Sequence, residues 1–307
     1  GIYAGLRALL FGNAITYPFG IIAVFISLLN IMLDYVLIFG FDVIPPLGMT
    51  GAALASVLAI AFGTLMLSGL VFIKRNSLFV NKPSRFSPMI VKMLLNIGFP
   101  LVAQGITAIV GWFVFFLLIE KMGSKALAVT SAGTSLLQMM GIITWALTPV
   151  TQTVISNLLG QGRYLQVMQT TLKIASFSFS VMLVIISVFN LFPELLWKIY
   201  TDNPKIIQQG LQLSLPISTI MLIFSVSTIF FNALAGTGKT TFTWLSEIVA
   251  VLLYVSYAWF TIFVINASIK IVWFSEAVYW FVLAVMTGYF LFIRKVWVNE
   301  ENHKPEE

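Results

Sequence analysis

Asn30-Ile31-Met32-Leu33-Asp34-Tyr35-Val36-Leu37-Ile38-Phe39-Gly40 closes an apolar run that begins near Tyr17. The run is long enough for a helix to cross the hydrocarbon of a bilayer. Asp34 therefore sits inside a spanning segment. A carboxylate there costs about 3 kcal/mol on insertion scales and persists where it faces protein, water or an ion. Asn30 lies one helical turn earlier, on the same face. The two side chains place an amide oxygen beside a carboxylate in an apolar wall, an arrangement that suits a proton or a small hard cation such as Na⁺. The plainer alternative is an Asp that only pins one helix to another.

The rest of the chain has the same character. Of its 307 residues, 59% are hydrophobic and 9% are charged, and the mean hydropathy is +0.99. A soluble domain carries about a quarter charged residues, so the composition belongs to a membrane protein. Apolar runs of about 20 residues recur and fit spanning helices. None alternates like a barrel strand. With no cysteine, neither disulfides nor thiolate metal sites can form. His303, in the polar tail, is the single histidine, which excludes a histidine metal cluster. The net charge of +6 is spread over loops and reports topology, not nucleic-acid binding. Nothing in the composition points to an enzyme or to a cofactor.

Working outward, eight spanning helices are expected, at about 17–40, 50–73, 89–119, 126–150, 168–192, 206–234, 242–266 and 271–293. Breakers stand between most of them: Pro45-Pro46-Leu47-Gly48, Asn81-Lys82-Pro83-Ser84, Met122-Gly123-Ser124, Gly160-Gln161-Gly162, Asp202-Asn203-Pro204 and Gly236-Thr237-Gly238. The basic residues set the orientation. Loops taken alternately hold Arg7, Lys74, Arg75, Lys82, Arg85, Lys92, Arg163, Lys173, Lys239, Arg294, Lys295 and Lys304 on one side. Lys121, Lys125, Lys198, Lys205 and Lys270 lie on the other. Twelve against five puts the first set, and both ends of the chain, in the cytoplasm of a multi-pass protein of the cell (inner) membrane. The charged connection at 74–92 reads as a linker. It divides an N-terminal part, 1–84, from a larger C-terminal part with a cytoplasmic tail, 85–307.

Gly1-Ile2-Tyr3-Ala4-Gly5-Leu6-Arg7-Ala8 has no initiator Met and no charged leader with a cleavage site. It reads as the end of a helix whose beginning is absent, and hence the chain as a fragment. Leu6-Arg7-Ala8-Leu9 leading into Gly12-Asn13 is echoed by Phe231-Asn232-Ala233-Leu234 leading into Gly236-Thr237-Gly238-Lys239. Parallel repeats are a known transporter plan. On that plan about four helices precede Gly1.

Several motifs carry a family resemblance. They are Asn30 to Gly40, Gly51-Ala52-Ala53-Leu54-Ala55-Ser56, Gly98-Phe99-Pro100 with Gln104, Ser156-Asn157-Leu158-Leu159-Gly160-Gln161-Gly162, Leu234-Ala235-Gly236-Thr237-Gly238-Lys239-Thr240 and Val272-Trp273-Phe274-Ser275-Glu276. Their order and spacing resemble the multidrug and toxic compound extrusion (MATE) transporters over the whole chain. The resemblance implies an all-α polytopic membrane protein. This chain would supply eight helices of a twelve-helix, 6+6, two-lobe fold, from the end of the fourth helix to the C-terminus. It implies a secondary antiporter, a monomer among membrane lipids, that exports cationic amphipathic drugs or toxic organic compounds in exchange for H⁺ or Na⁺. Without the missing helices the fragment is expected to be inactive alone. In one branch of the family the ion binds in the N-terminal lobe. Asn30 and Asp34 match two of its ligands, and Ser56 falls where a sixth-helix hydroxyl would be. In another branch carboxylates on the seventh and tenth helices do the coupling, and here the interiors of both helices lack one. The resemblance therefore places coupling at Asn30, Asp34 and Ser56.

The polar and aromatic residues expected at a substrate cavity are Gln104, Gln138, Trp145, Asn232 and Glu247, with Phe113 and Met139 on helices that can face it. Aromatic and Met side chains suit amphipathic cations. Glu276, near the outer end of the last helix, is expected to reach the headgroups or a loop. Gly238-Lys239-Thr240 imitates a phosphate-binding loop but has Ala233 at the first glycine position and a membrane helix in place of the strand. Two rivals remain. A lipid-linked oligosaccharide flippase of the same superfamily would want basic residues in its cavity, and no helix interior has one. An ion channel or other non-transporter membrane protein would show no saturable, counter-ion-dependent flux.

Overall fold

The computed structural model describes residues 1–13, 15, 17–41, 45–74 and 87–297. Arg75, Lys82, Arg85, the breaker at Asn81–Ser84, the 84/85 division, His303 and Lys304 lie outside the described residues. The described chain is helical throughout: α1 Ile2–Gly12, α2 Tyr17–Phe39, α3 Gly48–Ile73, α4 Pro88–Glu120, α5 Ser124–Gly160, α6 Tyr164–Leu191, α7 Pro193–Lys198, α8 Pro204–Leu211, α9 Ser214–Gly236, α10 Thr240–Phe263, α11 Ile269–Val272 and α12 Phe274–Gly288, which runs on into a π-helical turn at Tyr289–Ile293. Among the described residues eight spans are long and apolar enough to cross a membrane, as the apolar runs predict. The helices fall into two compact units, Gly1–Ser87 and Pro88–Glu307.

The first unit is α1 to α3. Lipid offers no hydrophobic drive for helix pairing, so close packing at small residues takes its place. On α3 the buried residues are Gly51, Ala55, Ala59, Gly63 and Leu67, one helical turn apart and therefore on one face. A β-carbon at Gly51 would fall on the backbone carbonyl of Leu37, and one at Gly63 on the side chain of Ile26. This stripe is thus the face against α2. The backbone N–H of Leu47 also donates to Leu37 O at 2.9 Å and fixes the turn. Leu10, Ile22 and Leu67 form the unit's core, with Tyr3 and Phe19 packed on it.

The second unit holds six spans. Its centre is α9, the most buried of the eight, which packs on α12, α5, α6 and α10. Val129, Leu136, Met182, Phe189, Ile217 and Phe224 meet in the main core. Polar pins join the helices: Thr144 and Ser178 hydroxyls at 3.1 Å, Asn190 Nδ2 to Ser218 Oγ at 2.9 Å, and Trp273 Nε1 to Thr130 Oγ1 at 3.2 Å.

Three boundaries differ from the sequence reading, each for a local reason. The helix expected to end near 150 runs on to Gly160 through Pro149. Proline strands the carbonyl four residues back, and here the Thr148 hydroxyl donates to that carbonyl, Trp145 O, at 2.9 Å. A neighbouring hydroxyl is one of the ways a membrane helix tolerates proline. The helix expected at 206–234 is two. Asn203 caps α8 by accepting from the Lys205 N–H at 3.1 Å. The chain breaks again at Gln212 and Leu213, because Pro216 has no N–H to give the Gln212 carbonyl. The last span is interrupted at Trp273, whose side chain is fully buried.

Candidate functional site

Asn30 and Asp34 both project from α2, one turn apart and half-buried. The Asn30 Nδ2 is buried and has no hydrogen-bond partner among the described residues. No basic side chain pairs with Asp34 among the described residues. Fixed pairing to a cation is the simplest way to hold a carboxylate in a membrane helix, and no described residue supplies it to Asp34. Ser56 is exposed, next to the buried Ala55 but off the stripe that packs on α2. No hydrogen bond joins it to Asn30 or Asp34 among the described residues. The first unit therefore brings two of the three expected coupling residues together.

The second unit holds a half-open cavity of about 430 Å³, within the range of small-molecule sites. Its walls come from α4, α5, α9, α10 and α12 and are largely aromatic: Trp112, Trp145, Phe224, Tyr254, Tyr279 and Trp280. The rings hold one another edge to face or tilted. Phe224 lies 4.7 Å from Trp280 and 5.1 Å from Trp145, centroid to centroid, and Tyr279 lies 4.8 Å from Trp280. Such pairs contribute about 0.5–1.5 kcal/mol beyond burial, enough to fix the wall's shape. Glu276 and Gln138 are the strongly polar members, and no Lys or Arg lines the cavity.

Gln138 and Trp145, both expected at a cavity, line this one. Gln104 and Glu247 sit behind the wall. Glu247 is 1% exposed and accepts from Gln104 Nε2 at 3.0 Å and from the Tyr279 hydroxyl at 2.6 Å. Asn232 turns back on its own helix, donating to Thr228 O at 2.8 Å. Phe113 is 60% exposed and does not line the cavity, and Met139 accepts weakly from the Tyr200 hydroxyl. Glu276 departs from its expected place near the headgroups. It lines the cavity and accepts from the Tyr254 hydroxyl at 2.8 Å. Its position near the start of the last span suggested the interface, but α12 turns this side chain toward Tyr254 of α10. A Tyr 22 residues away is no sequence signal for such a pair.

Eight apolar spans, with an Asp and an Asn one turn apart on a spanning helix and an aromatic-walled cavity, define a multi-pass α-helical membrane protein. Residues 100–260, more than half of the chain, match the MatE family. The chain is 29% identical over 247 residues to the “Probable multidrug resistance protein NorM” of Thermotoga maritima, covering 78% of this chain and 52% of that relative. A crystal structure of MATE in complex with MaL6 superposes with a TM-score of 0.83 at 18% identity, covering 96% of this chain and 66% of that one. For a mutant of the Vibrio cholerae MATE transporter VcmN the TM-score is 0.86 at 16% identity, covering 98% and 67%. At these identities the solved structures speak for the fold. The chain belongs to the MATE family, and it spans about half the length of the Thermotoga relative.

Proposed function

We propose that this chain is part of a secondary antiporter of the cell membrane that exports organic cations in exchange for H⁺ or Na⁺, and that Asn30 and Asp34 hold the exchanged ion. One observation carries the reading: Asp34, half-buried on α2 one turn from the Asn30 amide, has no basic partner among the described residues. A bound proton or Na⁺ removes the cost of the bare carboxylate, and Asn30 supplies the neighbouring amide. An ion that binds one helix packing better than another shifts the population toward it. In alternating access that shift exposes the substrate site to one side of the membrane at a time. Ser56 joins the site only if that shift turns it toward α2. The excess of basic residues in alternate loops supports cytoplasmic chain ends. The relative's printed name, a multidrug resistance protein, supports organic compounds as substrates. A flippase for diphosphate-linked sugars is the weaker reading, because the cavity wall carries a carboxylate and no basic side chain.

Everted membrane vesicles test this with a fluorescent organic cation. Uptake is expected under a Na⁺ gradient or a pH gradient, to saturate with substrate, and to vanish when both gradients are collapsed. Equal uptake without either gradient overturns the antiporter.

A further inference from the structure

The chain folds back on itself as it leaves the last span. The backbone N–H of Arg294 donates to Tyr289 O at 2.9 Å, that of Val296 to Phe290 O at 3.2 Å, and Trp297 Nε1 to Leu291 O at 3.1 Å. The returning segment thus satisfies carbonyls of the π-helical turn. Trp297 is buried in one cluster with Ala233 and Leu234 of α9 and Val167 of α6, so the segment is held in place. Lys295, at the bend, has φ +45°. Glycine adopts this left-handed conformation freely, and a lysine only against a steric cost. Strained backbone of this kind collects at ligand clamps and switches. Arg294 stands over the Phe242 ring, 5.7 Å from its centroid, and Phe242 packs on Phe290 at 4.7 Å. The Phe242 N–H donates to the carbonyl of Lys239, which precedes α10, at 3.1 Å. Three basic residues, Lys239, Arg294 and Lys295, therefore meet at one rim, where α10 begins and α12 ends. No acidic side chain pairs with any of them among the described residues. Further into the same two spans Leu245, Tyr289 and Ile293 are exposed.

We propose that this rim binds an anionic phospholipid, its headgroup phosphate held by Lys239, Arg294 and Lys295 and its acyl chains lying along Leu245, Tyr289 and Ile293. Basic side chains at the end of a spanning helix meet the headgroup layer, where basic pockets between helices hold anionic headgroups. Apolar surface continuing inward from the charges suits a lipid and has no use for a dissolved phosphate. A zwitterionic headgroup brings no net charge to answer three cations. The fixed backbone adds what a loose basic segment lacks, a set spacing of charges that one headgroup can occupy. Lys295 is the residue whose backbone is strained to complete that set. The inference stands apart from ion exchange at Asp34, and the cytoplasmic reading of these loops supplies only the leaflet.

Native mass spectrometry of the purified full-length protein tests this. The protein is released from detergent holding phosphatidylglycerol and phosphatidylcholine of the same acyl chains in equal amounts, and the retained lipids are counted. Wild type is expected to retain phosphatidylglycerol in preference. Lys239→Gln, Arg294→Gln and Lys295→Gln should each cut the preference about fivefold, the scale for one Lys or Arg near an anionic surface. Lys121→Gln, Lys125→Gln and Lys205→Gln together remove as much charge from the opposite loops and should leave it unchanged. Lys295→Gly separates charge from backbone. It removes the ammonium and relieves the strained φ, so the protein should melt no lower than wild type in lipid-free detergent and still lose the preference. Lys295→Arg should keep it. Excess glycerol 3-phosphate should not displace the lipid. Removing residues 299–307, which carry Glu300, Glu301, Glu306 and Glu307, should leave the preference as it was. No preference in wild type, an equal loss in the Lys121, Lys125 and Lys205 variant, or an unchanged preference in Lys295→Gly overturns the proposal. Displacement by glycerol 3-phosphate would make the rim a site for free phosphate, and a preference seen only after the removal of 299–307 would assign it to the acidic tail. Either result also overturns the lipid assignment.

Discussion

Cells expressing the transporter with Asp34→Asn are expected to lose drug efflux, down to the level of cells without it, while the protein still inserts in normal amount. The asymmetry follows from what the substitution removes. Asparagine is nearly the shape of aspartate, and its neutral amide is cheaper to place in the hydrocarbon than a carboxylate. Insertion and packing of α2 on α3 should therefore survive. The charge proposed to exchange its ion does not survive. A side chain that cannot take up or release a cation has equal affinity for no ion in every state, and a ligand without differential affinity shifts no population. Asp34→Glu keeps the charge but moves it by one methylene, so partial efflux is expected. Efflux measured in parallel with membrane-protein quantity settles the matter. A well-expressed Asn variant with normal efflux would refute the coupling role.

Gly51→Leu is expected to cost more than any other single change in the first unit. A side chain at this position falls on the backbone of Leu37, and a backbone cannot swing aside as a rotamer can. The helices must separate, and with them goes the stripe of Ala55, Ala59 and Gly63 on which their van der Waals contact depends. Overpacking typically costs about 1–3 kcal/mol and more where nothing yields. The same separation would displace Leu37, three residues beyond Asp34, and disturb the setting of Asn30 and Asp34. Gly69, on the same helix, has nothing within 4 Å of its missing β-carbon. Gly69→Ala should change stability by less than about 0.5 kcal/mol. Melting in detergent should separate the two variants by many degrees, and equal melting would show that the close approach at Leu37 is not what holds the pair.

The spans were legible because apolar length is a property of one segment at a time. Each of the eight could be read without its neighbours, and the small-residue stripe of α3 follows a one-turn period. Where reading failed, the deciding atom lay elsewhere. Pro149 looks like an end until the Thr148 hydroxyl is seen on the Trp145 carbonyl. Pro216 breaks a run that the letters let pass as one helix. The cavity was half legible. Gln138 and Trp145 stand out as polar or aromatic groups on a membrane helix, and they do line it. Glu276 did not stand out, because nearness to a span's end normally means the interface. Its Tyr254 partner and the Gln104–Glu247 contact, 143 residues apart in sequence, exist only in three dimensions. Asn30 and Asp34 are the opposite case, since a one-turn spacing on a single helix is visible in the letters.

Carbodiimide labelling read by mass spectrometry bears most directly on whether Asp34 exchanges an ion. The reagent enters membranes and modifies carboxyl groups that accept a proton there. Asp34 should be labelled in the purified protein, and labelling should fall when Na⁺ is added at constant pH to a Na⁺-coupled protein, or when alkaline pH strips the proton from a proton-coupled one. If Asp34 stays unmodified, or if its modification ignores both Na⁺ and pH, the carboxylate is a fixed structural group and the exchange account is wrong.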